Sequence, residues 1–413
     1  MMHFLRTAGL ALALAVAASS PAAAQQTTPA TAAIVKDMTS NAVLLEKNAD
    51  EPVPPASMSK LMTLYMIFEA LESGRMSLDD TFRTSGHAAS MGGSKMFIAQ
   101  GEEVRLEDLI RGVVVQSGND AAVALAEALS GTEPAFADLM NKRAAEIGLT
   151  NSHFTNATGW PDEEHRMSVR DLATLSELII REYPEMYAYF VEEEMTWADI
   201  RQANRNPLLG VVEGADGLKT GHTEEAGYGL AASAERDGRR VIVVVTGLES
   251  AGQRSQESER LINWAFRAFD TRTLFKAGEP LTDARVWLGA AQSVPVAPAR
   301  DVIVTAPYGQ LDQAKVAYVY DGPAEAPIEP GEQIGHIEIR LPDLPVTRVP
   351  AVATEAVGEG GLVARMRGAG RILFDEAYAA SGLKNAVGSI RSGILGDDEA
   401  PAEPAAEGAA SGG

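Results

Sequence analysis

The chain has 413 residues, a formal net charge of -22 at pH 7 and no cysteine. The lack of cysteine excludes disulfides, thiol catalysis and zinc held by thiolates. The negative charge disfavours nucleic acid as a partner, because its phosphates would be repelled. With 46% hydrophobic residues, the chain is long enough for a large core and, we expect, two domains.

The first 24 residues have the order of a secretory signal peptide. Arg6 precedes an apolar run over residues 8–18, and residues 22–24 are three alanines that form a small-residue cleavage site. The run is too short and too rich in alanine for a membrane span, which needs about 20 apolar residues. We therefore predict export, with residues 1–24 removed. A buried first helix is the disfavoured alternative.

Residues 25–271 are predicted to form an α/β domain. Two strands joined by a turn at Ser40-Asn41 are expected within residues 31–47. A largely buried helix is expected from Ser57 to about Gly74. Further helices are predicted at Leu106–Gln116, Asp120–Leu129, Pro134–Ile147 and Ser168–Arg181. Strands at Gly227–Ala234 and Arg240–Leu248 and a helix at Ser255–Phe269 follow. In this order, distant strands complete a single sheet around a mainly helical insert.

The remainder of the chain has a different texture. Short strand-like runs punctuated by proline and glycine predict a small all-β domain over residues 272–355. Residues 356–395 have a helical pattern weakened by glycines. Basic and apolar side chains within residues 362–395 are compatible with a helix lying on a membrane surface, and equally with unattached chain. Residues 396–413 carry five acidic and no basic side chains, which is typical of a disordered tail.

Three short motifs carry the chemistry. Ser57 and Lys60 form a Ser-x-x-Lys at a predicted helix start, and their spacing puts both side chains on one helix face. A serine hydroxyl needs a neighbouring base before it attacks a carbonyl, and a lysine with a lowered pKa can serve. This motif alone is weak, because residues 381–384 match it too. Ser117-Gly118-Asn119 and Lys219-Thr220-Gly221 each occur once, and we expect the latter just before a strand.

The choice of lysine is itself informative. Only nine of the 35 basic side chains are lysine, so arginine is the usual cation of this chain. A guanidinium does not release its proton in a protein, whereas a buried ammonium near a like charge can. Lys60 and Lys219 stand at two positions where this difference would matter.

The segments 55–63, 109–121 and 216–223 resemble the low-molecular-mass penicillin-binding proteins, the D-Ala-D-Ala carboxypeptidases. The resemblance covers roughly residues 28–355. It implies the fold of the β-lactamases and DD-peptidases, an antiparallel sheet flanked by helices, followed by a small β domain. It also implies removal of the terminal D-alanine from peptidoglycan pentapeptides, and acylation by β-lactam antibiotics.

The resemblance also implies roles for individual residues. Ser57 is the nucleophile that forms an acyl-enzyme, and Lys60 accepts its proton. Ser117 relays the proton to the departing D-alanine, and Asn119 holds Lys60 and the substrate amide. Lys219 supplies positive potential beside Ser117.

Substrate binding is expected to involve four further residues. Thr220 and Arg254 match positions that bind the terminal carboxylate in the family. Gly221 completes the third motif. The backbone N–H groups of Ser57 and His222 are expected to stabilise the oxyanion, and no role is assigned to the His222 side chain.

Neither a cofactor nor a metal is expected. The histidines outside the motifs do not have metal-ligand spacing: His87, His153, His165 and His336. Three alternatives use or retain the same motifs. A β-lactamase is disfavoured because no Glu-x-x-Leu-Asn follows the second motif, although the loop at residues 159–165 holds carboxylates. A DD-endopeptidase stays open, and a non-enzymatic wall-binding protein is disfavoured by the intact motifs.

Overall fold

The computed structural model describes residues 26–361. The predicted signal peptide, the candidate membrane-surface helix at residues 362–395 and the predicted acidic tail lie outside these residues. The described chain forms two compact units. The first runs to Phe275 and takes in Val302–Lys315 and Arg340–Pro345, and the second consists of Lys276–Asp301, Val316–Ile339 and the chain from Val346 onward.

Seventeen strands lie within the described residues. In chain order they are β1 (Ala32–Asp37), β2 (Ala42–Lys47), β3 (Thr81–Arg83), β4 (Glu103–Arg105), β5 (Glu194–Trp197), β6 (Ile200–Ala203), β7 (Ala215–Thr223), β8 (Gly227–Arg236), β9 (Arg239–Leu248), β10 (Phe269–Phe275), β11 (Thr282–Trp287), β12 (Ser293–Pro298), β13 (Val302–Pro307), β14 (Lys315–Val319), β15 (Ala324–Glu325), β16 (Gln333–Arg340) and β17 (Thr347–Ala353).

The helices of the described chain all belong to the first unit. They are α1 (Lys60–Glu72), α2 (Gly86–Ser90), α3 (Leu106–Val114), α4 (Asn119–Ser130), α5 (Glu133–Glu146), α6 (Val169–Glu182), α7 (Pro184–Tyr187) and α8 (Ala251–Ala268). Short 3₁₀ turns occur at Ala56–Ser59, Ala188–Val191 and Leu311–Gln313. None of these helices is long and apolar enough to cross a bilayer.

The first unit is built on a five-stranded antiparallel sheet in the order β2-β1-β9-β8-β7. Both faces of this sheet are buried. Ile34 belongs to a core that includes α1, α3, α4 and α6, whereas its neighbour Val35 belongs to a second core that includes α8. Because successive strand residues point to opposite faces, burial on both sides explains the unbroken apolar run of β9. The predicted single sheet around a helical insert is confirmed.

The structure differs from the prediction around the third motif and at both ends of the last helix. Lys219-Thr220-Gly221 does precede the predicted strand, which is β8, but it is itself part of the edge strand β7, which was not predicted. Its glycines lower strand propensity, but they permit close backbone approach. Helix α8 begins at Ala251, four residues earlier than predicted, and Ser250 caps it by accepting a hydrogen bond from Gln253 N at 3.1 Å. It ends at Ala268, so Phe269 begins β10 instead of closing the helix.

A buried carboxylate joins β1 to β10 and β13. Asp37 is fully buried and accepts hydrogen bonds from Thr271 Oγ1 at 3.0 Å, Thr305 Oγ1 at 3.1 Å and Arg239 Nε at 2.7 Å. These partners replace the hydration that the carboxylate loses on burial. The strand pair β10–β13 is thereby joined to the five-stranded sheet of the first unit.

The second unit has its own core and a six-stranded sheet. The strand order is β14-β16-β17-β12-β11-β15, and its core side chains include Val286, Val294 and Ile334. The predicted C-terminal all-β fold is confirmed.

Candidate active site

The first motif lies at the junction between a 3₁₀ turn and helix α1. Ser57 is part of the turn Ala56–Ser59, and Lys60 is the first residue of α1. Lys60 Nζ lies 2.8 Å from Ser57 Oγ. Lys60 is fully buried, whereas Ser57 remains partly exposed. The hydroxyl is therefore open to a reactant while the amine behind it is shielded from water.

Two carbonyl oxygens also contact the Lys60 amine. Lys60 Nζ donates to Asn119 Oδ1 at 2.6 Å and to the backbone oxygen of Thr158 at 2.6 Å. Burial, assisted by the positive charge of Arg205, lowers the Lys60 pKa to about 7, against the opposing influence of Asp120 and Glu133. A substantial fraction of this amine is therefore neutral near pH 7.

The number of acceptors around Lys60 fixes the orientation of the neutral amine. A neutral amine has two N–H groups and one lone pair. The oxygens of Asn119 and Thr158 accept hydrogen bonds but cannot donate them, so they take both N–H groups. The lone pair is then left facing Ser57, in position to accept the hydroxyl proton.

The second motif lies between helices α3 and α4. Ser117 has a φ of +63°, which is unusual for a residue with a side chain, and Asn119 is the first residue of α4. The Asn119 amide is fixed on both sides, because its Nδ2 donates to Gly92 O at 2.7 Å while its Oδ1 accepts from Lys60.

The third motif brings a second lysine to a second serine. Lys219 Nζ donates to Ser117 Oγ at 2.8 Å, and Lys219 is nearly fully buried. Burial lowers the Lys219 pKa well below its ordinary value, and the nearby charges of Lys60, Arg205 and Arg254 act in the same direction. The three motifs are thus directly connected through Lys60–Asn119 and Lys219–Ser117.

Strand β7 packs directly on the turn that carries Ser57. A Cβ atom at Gly221 would lie 2.8 Å from Pro55 O and 3.1 Å from Met58 Cγ, closer than side chains normally approach. Glycine at this position therefore allows the edge strand to contact the turn that carries Ser57. The next residue, His222, is exposed, and its ring stacks on Tyr228 with centroids 3.8 Å apart.

The predicted carboxylate-binding residues lie beside this strand. Thr220 is buried in β7, and the guanidinium of Arg254 on α8 lies 5.8 Å from the centre of the Tyr228 ring. The burial of Arg254 lowers its pKa, and its Nε atom is buried without a hydrogen-bond partner in the described chain. Within residues 26–361, neither Arg254 nor Arg205 has an ion pair with a carboxylate. The site thus presents uncompensated positive charge.

Two contributors to the site were not predicted from the sequence. Thr158 contributes only its backbone oxygen, and a carbonyl has no sequence signature. Arg205 donates to Ser94 Oγ at 2.7 Å and repels the charged forms of Lys60 and Lys219. It stands in the polar run Gln202–Asn206, which by itself resembles an ordinary surface loop.

The carboxylates of the loop at residues 159–165 do not enter the site. Asp162, Glu163 and Glu164 are exposed, and within the described chain none of them forms a hydrogen bond with Ser57 or Lys60. The same residues 26–361 contain no cluster of histidine and carboxylate side chains that could hold a metal ion.

This fold and these motifs define a penicillin-recognising active-site serine enzyme. Residues 17–250 match the model of the D-alanyl-D-alanine carboxypeptidase family, and residues 269–359 match the C-terminal domain of penicillin-binding protein 5. The chain belongs to the D-alanyl-D-alanine carboxypeptidase family and is a serine-type D-Ala-D-Ala carboxypeptidase.

Individual relatives cover most of the chain. It is 38% identical over 341 residues to D-alanyl-D-alanine carboxypeptidase DacC of Escherichia coli, covering 81% of this chain and 85% of that protein. The structure of penicillin-binding protein 5 from Haemophilus influenzae aligns with a TM-score of 0.76 at 36% identity, covering 81% of this chain and 100% of that one. The ampicillin-bound form of penicillin-binding protein D2 from Listeria monocytogenes aligns with a TM-score of 0.54 at 32% identity, covering 58% of this chain and 98% of that one.

Proposed function

We propose that Ser57 is the residue acylated by the substrate, with Lys60 as its general base. The observation that carries this assignment is the 2.8 Å contact between Lys60 Nζ and Ser57 Oγ, made by a buried amine whose pKa is lowered to about 7. A base whose pKa lies near the working pH is efficient at accepting a proton.

The reaction then proceeds in two stages. Ser57 Oγ attacks the carbonyl carbon between the two terminal D-alanines, and its proton passes to Lys60 Nζ. The carbon–nitrogen bond breaks, and the proton returns through Ser117 to the amine of the departing D-alanine. Water hydrolyses the resulting ester, which releases the shortened peptide and restores the Ser57 hydroxyl. Asn119 and Lys219 hold Lys60 and Ser117 in place through their contacts at 2.6 and 2.8 Å.

The positive charge of the site selects a substrate with a free carboxylate. Arg254 and Thr220 are proposed to bind the terminal carboxylate of a peptidoglycan pentapeptide, because Arg254 has no competing carboxylate among the described residues. The backbone N–H groups of Ser57 and His222 are proposed to stabilise the oxyanion. Gly221 lets β7 approach the nucleophile turn closely enough for this arrangement.

Penicillins are proposed to acylate Ser57 as well, giving an adduct that persists. The support against a β-lactamase is the exposure of Asp162, Glu163 and Glu164, which leaves no carboxylate of that loop bonded to Ser57 or Lys60 in the described chain. Rapid hydrolysis of a penicillin ester would need a base at that point.

Mass spectrometry after treatment with benzylpenicillin tests the assignment. We expect the adduct on the peptide containing Ser57, no adduct in Ser57→Ala, and release of D-alanine from a pentapeptide by the unaltered enzyme only. An adduct elsewhere, or its loss within seconds, would remove the proposal.

We also propose that the enzyme acts outside the cytoplasmic membrane. The support is the sequence of residues 1–24, with Arg6, an apolar run and three alanines at the cleavage site. Peripheral attachment to the membrane through residues 362–395 rests on composition alone. Fractionation of cells producing the chain with and without residues 362–413 tests it, and release of both forms from membranes would argue against attachment.

A further inference from the structure

A tight turn at residues 156–160 supplies one of the two carbonyl groups that hold the Lys60 amine. The backbone oxygen of Thr158 contacts Lys60 Nζ at 2.6 Å, and Thr158 is almost fully buried. The orientation of this oxygen is therefore part of the environment of the proposed base. What fixes the orientation is the side chain of Asn156.

Asn156 binds the turn through both ends of its amide. Its Oδ1 accepts hydrogen bonds from Thr158 N at 3.0 Å, Thr158 Oγ1 at 3.0 Å, Gly159 N at 2.8 Å and Trp160 N at 3.0 Å. Its Nδ2 donates to Trp160 O at 3.1 Å and to Thr155 Oγ1 at 3.2 Å. One side chain thus gathers the N–H groups on both sides of the Thr158 carbonyl, which leaves that carbonyl directed away from the turn and toward Lys60.

Trp160 N also donates to Thr158 Oγ1 at 3.1 Å, and the rest of the turn is held by contacts that do not involve Thr158. Ala157 N donates to Glu133 Oε1 at 3.0 Å, and Thr63 Oγ1 donates to Ala157 O at 2.7 Å. Gly159 has a φ of +75°, and a Cβ there would lie 1.9 Å from Ala56 O. The turn is therefore packed tightly against the residue that precedes Ser57. Because of this packing, neighbouring atoms have little space to shift and restore the contact with Lys60 if Thr158 O is displaced.

We propose that Asn156 is a positioning residue for the carboxypeptidase reaction, acting through the Thr158 carbonyl to orient the lone pair of Lys60 toward Ser57. This inference rests on the proposed function, because it assumes that Lys60 is the base. With Thr158 O in place, the two N–H groups of a neutral Lys60 are both taken and the lone pair faces the Ser57 hydroxyl. Without Thr158 O, one N–H of Lys60 has no acceptor and can point toward Ser57 in place of the lone pair.

The charged groups around Lys60 come from several elements, and a pH-dependent test must account for them. They are Asp120 on α4, Glu133 on α5, His165 after the turn, Arg205 after β6 and Lys219 on β7. None of them is changed by a substitution at Asn156, so a shift in the pH profile of the uncharged variant Asn156→Ala reports on the turn.

The test measures the second-order rate of acylation by fluorescent penicillin, using the full-length chain, from about pH 5 to about pH 9, which brackets the Lys60 pKa of about 7. Asn156→Ala is expected to acylate at least about tenfold more slowly at the plateau, within the range attributed to positioned proton transfer. Its half-maximal rate is expected at lower pH, because the ammonium form of Lys60 loses an acceptor.

Asn156→Asp provides the second variant. Its carboxylate keeps an acceptor for the three N–H groups but cannot donate to Trp160 O and Thr155 Oγ1 as the amide does, and its negative charge favours the ammonium form of Lys60. We therefore expect a higher plateau rate than in Asn156→Ala, with the half-maximal rate moved to higher pH, opposite to Asn156→Ala.

Asn141→Ala is the matched control. Asn141 exchanges two hydrogen bonds with the backbone of Phe154, at 2.7 and 2.8 Å, and so holds the same loop without contacting Thr158. It is expected to lose stability but to keep the pH midpoint of the unaltered enzyme. The inference would be overturned if both Asn156 variants kept the pH midpoint of the unaltered enzyme. It would also be overturned if Asn156→Ala and Asn141→Ala lost the same fraction of the plateau acylation rate. Failure of the unaltered enzyme to be acylated at Ser57 would instead remove the proposed function.

Discussion

Lys219 Nζ lies 2.8 Å from Ser117 Oγ, the same distance that separates Lys60 Nζ from Ser57 Oγ. The site therefore contains two buried lysine–serine pairs, and in both the amine has a lowered pKa. Since Lys60 contributes to lowering the pKa of Lys219, protonation of one amine disfavours protonation of the other. This coupling is what we expect if one proton passes from Ser57 to a leaving amine, as proposed above.

Replacement of Lys60 by arginine separates charge from basicity. Lys60→Arg keeps a cation of similar length, but a guanidinium does not release its proton, so acylation by fluorescent penicillin should fall by about 10²- to 10⁴-fold. Lys60→Met should be equally inactive with an intact fold by circular dichroism. Labelling of either variant at the normal rate would exclude Lys60 as the base.

The acylation rate should rise with pH and reach half its plateau near the Lys60 pKa of about 7. The sign follows from the mechanism, because only the neutral amine accepts a proton, and its fraction grows as pH increases. Arg205→Gln removes a positive charge that lowers this pKa, so its half-maximal rate should lie at higher pH.

The control for Arg205→Gln lies four residues earlier in the chain. Arg201→Gln removes an exposed arginine that pairs with Glu194, and it should leave the profile unchanged. Equal profiles for the two variants would show that Arg205 does not act on Lys60.

Gly221→Ala should disturb the packing of β7 against the turn that carries Ser57. The added Cβ would lie 2.8 Å from Pro55 O, so strand and turn must separate, at a cost of about 1–3 kcal/mol in the free energy of unfolding. Acylation should slow more than this loss of stability explains, because Ser57 moves relative to β7. Gly252→Ala on α8 is the matched control, since its Cβ has no neighbour closer than Ser250 Oγ at 3.9 Å, and it should leave acylation and stability at least at their original values.

Arg254→Gln should remove the preference for a free carboxylate. A hydrogen bond to a charged group contributes about 1.5–3 kcal/mol, so kcat/KM for a pentapeptide should fall by about 10- to 100-fold. The measurement compares this substrate with its C-terminal amide, which the variant should hydrolyse about as well as the unaltered enzyme does. A parallel loss on both substrates would assign Arg254 a structural role.

Much of the site was predictable because its motifs are short and their side chains act directly. Ser57 and Lys60 lie at a helix start, as predicted. Asn119 of the second motif contacts Lys60, and Gly221 of the third motif packs on the turn that carries Ser57. The position of the third triplet in a strand was not predictable, because glycine has a low strand propensity. The reason for a glycine there is the close contact with Pro55 and Met58, which are distant in sequence. Tertiary packing overrode local propensity there.

The undetected residues have a common physical feature. Thr158 acts through its backbone, Asn156 acts through Thr158, and Arg205 acts through space, so none needs a recognisable neighbour in the sequence. The start of α8 did have a local signal, since Ser250 and Gln253 stand three residues apart at its N-terminus. Gly252 within the first turn obscured it.

The pairing of β1 with β9 determines when the molecule can finish folding. Ala32 lies opposite Thr246, so β1 pairs with a strand more than 200 residues later in the chain. Such non-local pairing slows folding, and a nascent chain that ends before β9 cannot complete the sheet. Strand β7 joins the same sheet through β8. The rate at which the chain becomes able to bind penicillin covalently, after dilution from denaturant, would therefore report the rate at which this sheet forms.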